Sequence, residues 1–285
     1  MPSERELVRR VRTVRNIQQV TKAMQTISAS KMRRAQAAVL ASRPYEEKLR
    51  EILMSLTPYT DPEIHPLLQR REVRRAGIVL ITTDRGLVGA MNANMVRAAL
   101  RHAEQLRSAG YIAVGRKGVG AIRRLRQPLI AEFSRLGDRP TTSETNPIAR
   151  AAVDEFLSGS VDEVYLAFTR FVSTIKQVPT IRRILPLVPA EERRELPPLQ
   201  YIFEPDPEAV LEAVIPRLIA IAVYQALLEN IASEQSARMV AMRNATDAAT
   251  DLIETYTLAA NKARQWRITK EMLEIASGSE ALAKG

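Results

Sequence analysis

Cysteine is absent from the 285-residue chain, and histidine occurs only as His65 and His102. The sequence therefore excludes disulfides, thiolate metal ligands and a cysteine nucleophile, and it offers no multi-histidine metal site. Aromatic residues make up only 5% of the chain, too few for a surface that stacks many bases. Two charged residues and a proline interrupt the best apolar run, residues 209–228, so we expect no membrane span.

Glycine and proline are missing from a long stretch near each end of the chain. The first stretch free of both covers residues 3–43, and the second covers the 61 residues 217–277. Because these two residue types are the main helix breakers, their joint absence predicts two very long helices, about 60 Å and 90 Å at 1.5 Å per residue. Pro216 predicts a kink or restart in the second helix, and Gly278 predicts its end.

Residues at steps of four and three form a stripe along both stretches, the spacing of a left-handed coiled-coil seam. In the first stretch they are Leu7, Val11, Val14, Ile17, Val20, Met24 and Ile27. In the second they are Ile231, Gln235, Arg238, Met242, Ala245, Ala249, Leu252, Tyr256, Ala259, Ala263 and Trp266. The two ends are predicted to return beside each other as an antiparallel coiled coil. Its many small residues make it thin and only modestly stable alone, since each buries little apolar area.

The middle of the chain predicts an open, Rossmann-like α/β domain, because strand patterns alternate there with helical ones. Extended patterns cover residues 77–83, 111–114, 161–171 and 174–187, and helical patterns cover 92–108 and 146–158. The predicted fold class is therefore α/β with long helices, a central α/β domain plus the coiled coil of the two ends. The predicted domains are an N-terminal coiled-coil helix at 1–57, a globular α/β domain at 75–205 and a C-terminal coiled-coil helix at 206–285.

Two glycine-rich turns, residues 86–89 and 115–120, follow predicted strands. Such turns can bind phosphate at the start of a helix, but neither matches the dinucleotide or P-loop pattern. We interpret both as tight strand-to-helix turns, and Asp84 and Arg85 as members of a structural ion pair. The sequence predicts no catalytic, cofactor or metal site, so we expect a mechanical or adaptor element and not an enzyme.

Positive charge is concentrated near the N-terminus. Between Glu4 and Arg50 there are twelve basic and four acidic residues, which place +8 of the chain's net charge of +10 in this segment. A cationic helix of this kind favours an anionic partner, which could be nucleic acid, lipid or an acidic protein surface. Two alternative functions follow from the residues: a basic coiled-coil protein that binds nucleic acid, and a dinucleotide-binding enzyme that uses the glycine-rich turns.

Three motifs, in order along the chain, resemble the γ subunit family of the F-type ATP synthases. They are residues 17–36 (IQQVTKAMQTISASKMRRAQ), residues 84–94 (DRGLVGAMNAN), and residues 233–247 (SEQSARMVAMRNATD) together with 261–265. The resemblance implies the non-catalytic rotor of the central stalk, present in one copy in a hetero-oligomer. Its coiled coil would stand inside a ring of three α and three β subunits. Its globular domain would sit, with the ε subunit, on the c-ring of the membrane sector.

In such a complex, proton flow turns the c-ring and the stalk, and the β subunits make ATP as each meets a different face of the rotor. The resemblance further implies no bound cofactor, no nucleic acid, and a peripheral position on the cytoplasmic side of a bacterial cell membrane. It assigns the contacts with surrounding subunits to Lys22, Met24, Lys31, Arg33, Arg34, Arg238 and Lys270. Because the family's β loops that line the ring are acidic, bases there offer opposite charge, and exposed pairs are worth only about 0–1 kcal/mol.

Four residues depart from the family pattern. Lys270 stands where the family usually has glutamine, Trp266 and Arg267 where it has small residues, and Val88 where it has cysteine. The contacts at the far end of the C-terminal helix are therefore expected to differ from the family's usual ones.

Overall fold

The computed structural model describes residues 3–56, 65–187 and 204–283. Within these ranges two long helices come first and last, and three shorter helices alternate with five strands between them. The helices are α1 (Glu4–Leu56), α2 (Met91–Glu104), α3 (Arg116–Arg124), α4 (Thr142–Leu157) and α5 (Pro207–Ala283). The strands are β1 (Ala76–Ile81), β2 (Ala109–Val114), β3 (Leu129–Phe133), β4 (Glu163–Phe171) and β5 (Gln177–Leu185).

The chain divides into two compact units, and each long helix contributes to both. Unit 1 comprises Met1–Ile27 and Met239–Gly285, and unit 2 comprises Ser28–Arg238. The domains predicted from the sequence follow the ends of the helices instead, and that division stays a prediction. Positions 1–2, 57, 188–203 and 284–285 of that division lie outside the described residues.

Unit 2 contains a five-stranded sheet in the order β3-β2-β1-β4-β5. The first four strands run parallel, and β5 pairs antiparallel with β4. The sequence of β1, Ala-Gly-Ile-Val-Leu-Ile, is buried at every position, which is the pattern expected of a central parallel strand covered on both faces. The expected open α/β sheet is therefore confirmed. The sequence analysis did not predict α3 or β3. The strand is short and only partly buried, and the helix contains two helix-breaking residues, Gly118 and Gly120.

Helices cover both faces of the sheet. On one face α2 and α3 pack over Ile78, Leu80 and Tyr111. On the other face, α4 and the unit 2 parts of α1 and α5 bury the larger core, which includes Phe156 and Leu166. Unit 2 is thus a three-layer arrangement in which both long helices are part of the core.

One window of α5 is long and apolar enough to pass a composition test for a membrane span. Its 18 residues have a mean hydropathy of 1.7, and 56% of the window is buried inside the protein. A core helix passes the same test, and Leu211, Ile215 and Leu218 of this helix lie in the core of unit 2. The apolar character of this segment is therefore accounted for by its packing.

In unit 1 the first part of α1 pairs with the last part of α5. Gln18 Nε2 donates to Thr250 Oγ1 at 2.8 Å, and the hydroxyls of Thr21 and Thr246 are 2.7 Å apart. Nearer the N-terminus the partner lies further along α5, because Glu4 forms an ion pair with Arg267 at 3.1 Å. As the residue number increases along α1, the number of its partner on α5 decreases. The two helices are therefore antiparallel, as expected.

The seam of this coil differs from the prediction on α1. Leu7 is buried and Val11 and Val14 are half-buried, but Ile17, Val20 and Ile27 are 50%, 58% and 54% exposed. The contact line shifts by one position after Val14 and passes through Gln18, Thr21 and Ser28 instead. The prediction of these three apolar residues as seam residues was wrong, because polar side chains that bond across the pair occupy the contact line.

On α5 most of the predicted seam is buried or half-buried, from Ile231 through Ala263. The exceptions are Leu252 and Trp266, which are 44% and 69% exposed. The helix continues through both Pro216 and Gly278 to Ala283. The predicted end at Gly278 was therefore wrong, and so was a restart at Pro216, whereas a kink at Pro216 stays a prediction.

Candidate subunit-contact surface

Three of the basic residues proposed to contact other subunits are solvent-exposed on α1. Lys22 lies in unit 1, and Arg33 and Arg34 lie in the first turns of α1 within unit 2. Met24, between them in sequence, is half-buried. A helix with exposed bases and no acid between residues 7 and 45 presents a positive surface to a partner.

Exposed apolar side chains accompany these bases. Ile17, Val20 and Ile27 of unit 1 are all at least half exposed. Steps of three and seven place them on one side of the helix, next to Met24. The sequence analysis used the same periodicity to place them inside the coil. Exposed on one side of the helix, they make this side a candidate contact surface.

The end of α5 shows the same combination. Its exposed large apolar residues are Leu258, Trp266, Ile268, Met272, Leu273 and Ile275. Lys270 is exposed and lies 3.6 Å from Glu274, one turn away. Arg267, one of the departures from the family pattern, pairs with Glu271 at 3.0 Å as well as with Glu4. This end of the helix therefore combines unpartnered apolar area with local charge pairs.

Arg238 lies in a different environment, since its side chain is only 9% exposed. Its Nη2 donates to Glu234 Oε1 at 2.6 Å and to the carbonyl of Gly86 at 3.2 Å. Burial raises the pKa of Glu234, and the guanidinium of Arg238 opposes that rise. The buried pair thus ties α5 to the loop that follows β1.

Lys31 is also held within the chain. Its Nζ lies 2.5 Å from Oδ2 of Asp138, in the segment between β3 and α4. The other oxygen of Asp138 accepts a long hydrogen bond from Gln235 Nε2 at 3.5 Å. The structure thus brings Lys31 and Arg238 to contacts inside unit 2. That they touch another subunit stays a prediction.

In the glycine-rich turn after β2, the backbone N–H groups that could bind a phosphate already have partners. The backbone N–H of Arg116 donates to Asp84 Oδ1 at 3.0 Å, that of Lys117 to the carbonyl of Thr83 at 3.1 Å, and that of Gly118 to Thr82 Oγ1 at 2.7 Å. These are the groups that a bound phosphate would need. The carboxylate of Asp84 already occupies the positive end of the helix, which argues against a dinucleotide site.

Asp84 also accepts the backbone N–H of Arg135 at 2.8 Å through its second oxygen. It lies 3.7 Å from the guanidinium of Arg116. The carboxylate therefore joins the segments that follow β1, β2 and β3. The structural role expected of Asp84 is confirmed, with Arg116 as its ion-pair partner, whereas that of Arg85 stays a prediction. Among the described residues, no group of three or more His, Cys, Asp or Glu side chains could hold a metal ion.

These features define a class of protein in which the two ends of one chain form an antiparallel coil and the middle forms a doubly wound α/β unit. A family model described as ATP synthase matches residues 3–282. The ATP synthase gamma chain of Dehalococcoides mccartyi is 50% identical, over 99% of this chain and 100% of that protein. The gamma chain of Moorella thermoacetica is 46% identical, also over 99% and 100%.

Two solved structures show the same fold. A chain of the Euglena gracilis mitochondrial ATP synthase superposes with a TM-score of 0.70 at 23% identity, over 98% of this chain and 94% of that one. A chain of the central stalk and c-ring of the Tetrahymena thermophila mitochondrial ATP synthase gives a TM-score of 0.62 at 24% identity, over 79% of this chain and 99% of that one. On the evidence of the family model and the relatives, the chain belongs to the ATP synthase gamma chain family, whose members are non-catalytic subunits.

Proposed function

We propose that this chain is the rotor of a central stalk, which couples ion flow through a membrane ring to ATP synthesis on other subunits. The observation that carries the proposal is the antiparallel pairing in unit 1. Cross-helix contacts at Glu4–Arg267, Gln18–Thr250 and Thr21–Thr246 join the two ends of the chain into one coil. A single coil has no threefold symmetry, so three equivalent catalytic subunits around it each meet a different surface.

The partners in this proposal are three α and three β subunits around the coil, with the ε subunit and the c-ring at the α/β unit. The solved relatives come from a central stalk with c-ring and from an assembly of F1 and c-ring. The coupling ion we propose is the proton. The location we propose is peripheral, on the cytoplasmic side of a bacterial cell membrane.

Contacts with the α and β subunits are proposed at Lys22, Met24, Arg33, Arg34 and Lys270. Solvent exposure supports this proposal, because all of these side chains except that of Met24 are exposed. The neighbouring apolar residues Ile17, Val20 and Ile27 extend this surface. Attraction must stay weak for the rotor to turn, and exposed charge pairs, worth about 0–1 kcal/mol each, satisfy that condition.

Co-purification tests the proposed function. The chain is co-expressed with α and β subunits, one of them tagged, and the stoichiometry of the purified complex is measured by native mass spectrometry. We expect a three-three-one assembly whose ATP hydrolysis drives rotation of a bead attached to this chain. Recovery of an α and β ring without this chain, or of a complex in which hydrolysis proceeds with no rotation, would contradict the proposal.

A further inference from the structure

A run of buried polar side chains ends the unit 2 part of α5. Ser233, Gln235, Ser236 and Arg238 are only 0%, 1%, 0% and 7% exposed. Helix positions buried to this degree normally carry apolar side chains, and a buried polar group is costly unless it is hydrogen-bonded. Four buried polar side chains within six positions are therefore expected to have hydrogen-bond partners.

Each of these side chains bonds to a different segment of the α/β unit. The bonds are Ser233 Oγ to the carbonyl of Thr169 at 2.9 Å, Ser236 Oγ to the carbonyl of Thr174 at 2.7 Å, Gln235 Nε2 to Asp138 at 3.5 Å, and Arg238 Nη2 to the carbonyl of Gly86 at 3.2 Å. The partners lie in β4, in the β4–β5 hairpin, after β3 and after β1. The carboxyl-side ends of β1, β3 and β4 thus supply the four acceptors, two of them from β4 and the hairpin that follows it.

The four bonds leave the helix in different directions. At about 100° per residue, positions 233, 235, 236 and 238 point to about 0°, 200°, 300° and 140° around the helix axis. Hydrogen bonds are directional, whereas apolar contacts such as those of Ala35 with Ile231 and Ala232 are not. The polar contacts therefore resist rotation of α5 about its own axis within unit 2.

The other long helix is tied to the same place. Lys31 of α1 binds Asp138, whose second oxygen accepts the bond from Gln235 of α5. One carboxylate of the α/β unit thus receives a donor from each long helix. Lys31 and Arg238 both lie within four residues of the limits of unit 2, at Ser28 and Arg238.

We propose that Lys31, Asp138, Ser233, Gln235, Ser236 and Arg238 form a collar through which the α/β unit grips α1 and α5 and transmits torque to them. This inference rests on the proposed function. It assigns Lys31 and Arg238 to positioning the helices, in place of the contacts with surrounding subunits that the family resemblance implies.

A charge exchange tests the collar in the assembled complex, reconstituted with its membrane sector in vesicles. The ratio of ATP-driven proton pumping to ATP hydrolysis is measured for the wild type, K31D, D138K and the double variant K31D/D138K. We expect each single variant to lower the ratio by roughly threefold, the size that a half-exposed charge pair supports. The double variant should recover most of it, because the pair is restored with reversed polarity.

Arg123→Ala is the matched control, since it breaks an exposed ion pair with Glu132 elsewhere in unit 2, and it should leave the ratio unchanged. Single variants that pump like the wild type would overturn the collar. A double variant with a ratio no higher than that of the single variants would also count against the pairing of Lys31 with Asp138.

The double variant S233A/S236A gives an independent test that keeps all charges and changes the volume little. It removes the two hydrogen bonds that these serines donate and the one that Ser236 accepts from Gln177. The collar predicts a lower pumping ratio at an unchanged yield of complex, and an unchanged ratio would contradict it. Should the wild-type complex assemble and hydrolyse ATP without pumping, the proposed function itself fails and the collar with it. If the ratio of pumping to hydrolysis falls only in the variants, the proposed function stands and the collar is supported.

Discussion

At the scale of single residues, the end of β1 depends on two close approaches that only glycine allows. Gly115 has φ of 89°, and a Cβ there would lie 2.4 Å from the carbonyl oxygen of Thr82. A Cβ on Gly118 would lie 2.7 Å from Thr82 Oγ1, which the Gly118 N–H contacts. These glycines, which resemble a phosphate-binding loop in sequence, instead let α3 start directly against β1.

The substitution Gly115→Ala should therefore destabilise unit 2 by about 2 kcal/mol or more, through a strained backbone and a steric overlap with main-chain atoms. Gly120→Ala is the matched control, because nothing lies within 4 Å of its Cβ position and it occupies the interior of α3. We expect that variant to gain roughly 0.5–1 kcal/mol from helix propensity. Urea unfolding followed by circular dichroism measures both, and equal stabilities would contradict the interpretation.

Tyr165 provides a pH-dependent contribution to stability. Burial and the hydrogen bond to Glu163 raise its pKa to about 12. The folded chain therefore holds the phenol proton more tightly than the unfolded chain, whose tyrosine titrates near pH 10. The stabilisation is complete below pH 10 and is lost as the pH rises through 12. Between these values the free energy of unfolding should fall more steeply for the wild type than for Y165F, and parallel curves would count against it.

At the scale of the elements, the two long helices owe their pairing to a mixed seam. Polar pairs such as Thr21 with Thr246 alternate with small apolar residues such as Ala249, which is 3% exposed. Such a seam buries little apolar area, so the coil gains little free energy by itself. It leaves Ile17, Val20 and Ile27 outside, where they are available to a surrounding subunit.

Engineered cysteines test the register of the coil, since the chain has none of its own. T21C/T246C places two sulfurs where hydroxyls are now 2.7 Å apart, so we expect rapid disulfide formation under mild oxidation. V20C/T246C is the control, because Val20 is 58% exposed and lies off the contact line. Non-reducing electrophoresis after proteolysis between the two positions reports the bond, and equal yields from both variants would contradict the register.

Larger side chains in the same seam should destabilise the coil. Replacing Ala245 and Ala249 with leucine inserts six carbon atoms between closely spaced backbones, at a cost of about 1–3 kcal/mol per site. We expect a lower melting temperature of the isolated chain and stalled ATP-driven rotation of the assembled complex. For the melting temperature, Ala248→Leu is the control, because Ala248 is exposed. Rotation at the wild-type rate in the double variant would show that a thin coil is not required.

At the scale of the whole molecule, charge is distributed so that the N-terminal segment carries most of the net +10. Part of it is balanced internally, as in the pair of Lys31 with Asp138. The rest, including Lys22, Arg33 and Arg34, is exposed and suits an acidic protein surface. The same charge is the one feature that favours a nucleic-acid-binding coiled coil.

A competition experiment separates these two functions. We expect the isolated chain to bind duplex DNA only at low salt, without sequence preference, and to release it by about 0.2 M salt. A preformed α and β ring should displace the DNA at stoichiometric concentration. Fluorescence anisotropy of labelled DNA measures both steps. Sequence-specific binding that persists in the presence of the ring would support the nucleic-acid function instead.

The sequence by itself was enough to predict the fold class and the family. Long stretches without glycine or proline favour long helices, and short apolar runs between turns favour buried strands, because these preferences depend on local backbone chemistry. Three motifs in order were enough to indicate the family, which the family model and relatives confirm.

Only the tertiary structure decided which face of α1 is buried. Ile17 and Gln18 are neighbours on the helix, and the structure turns Gln18 toward α5, where its Nε2 donates a hydrogen bond to Thr250 Oγ1. In the same way, the sequence could not place Lys31 beside Asp138, 107 residues away, or Arg238 beside Gly86. Contacts across such separations are fixed by how the helices and sheet pack together, and no local pattern in the chain encodes them.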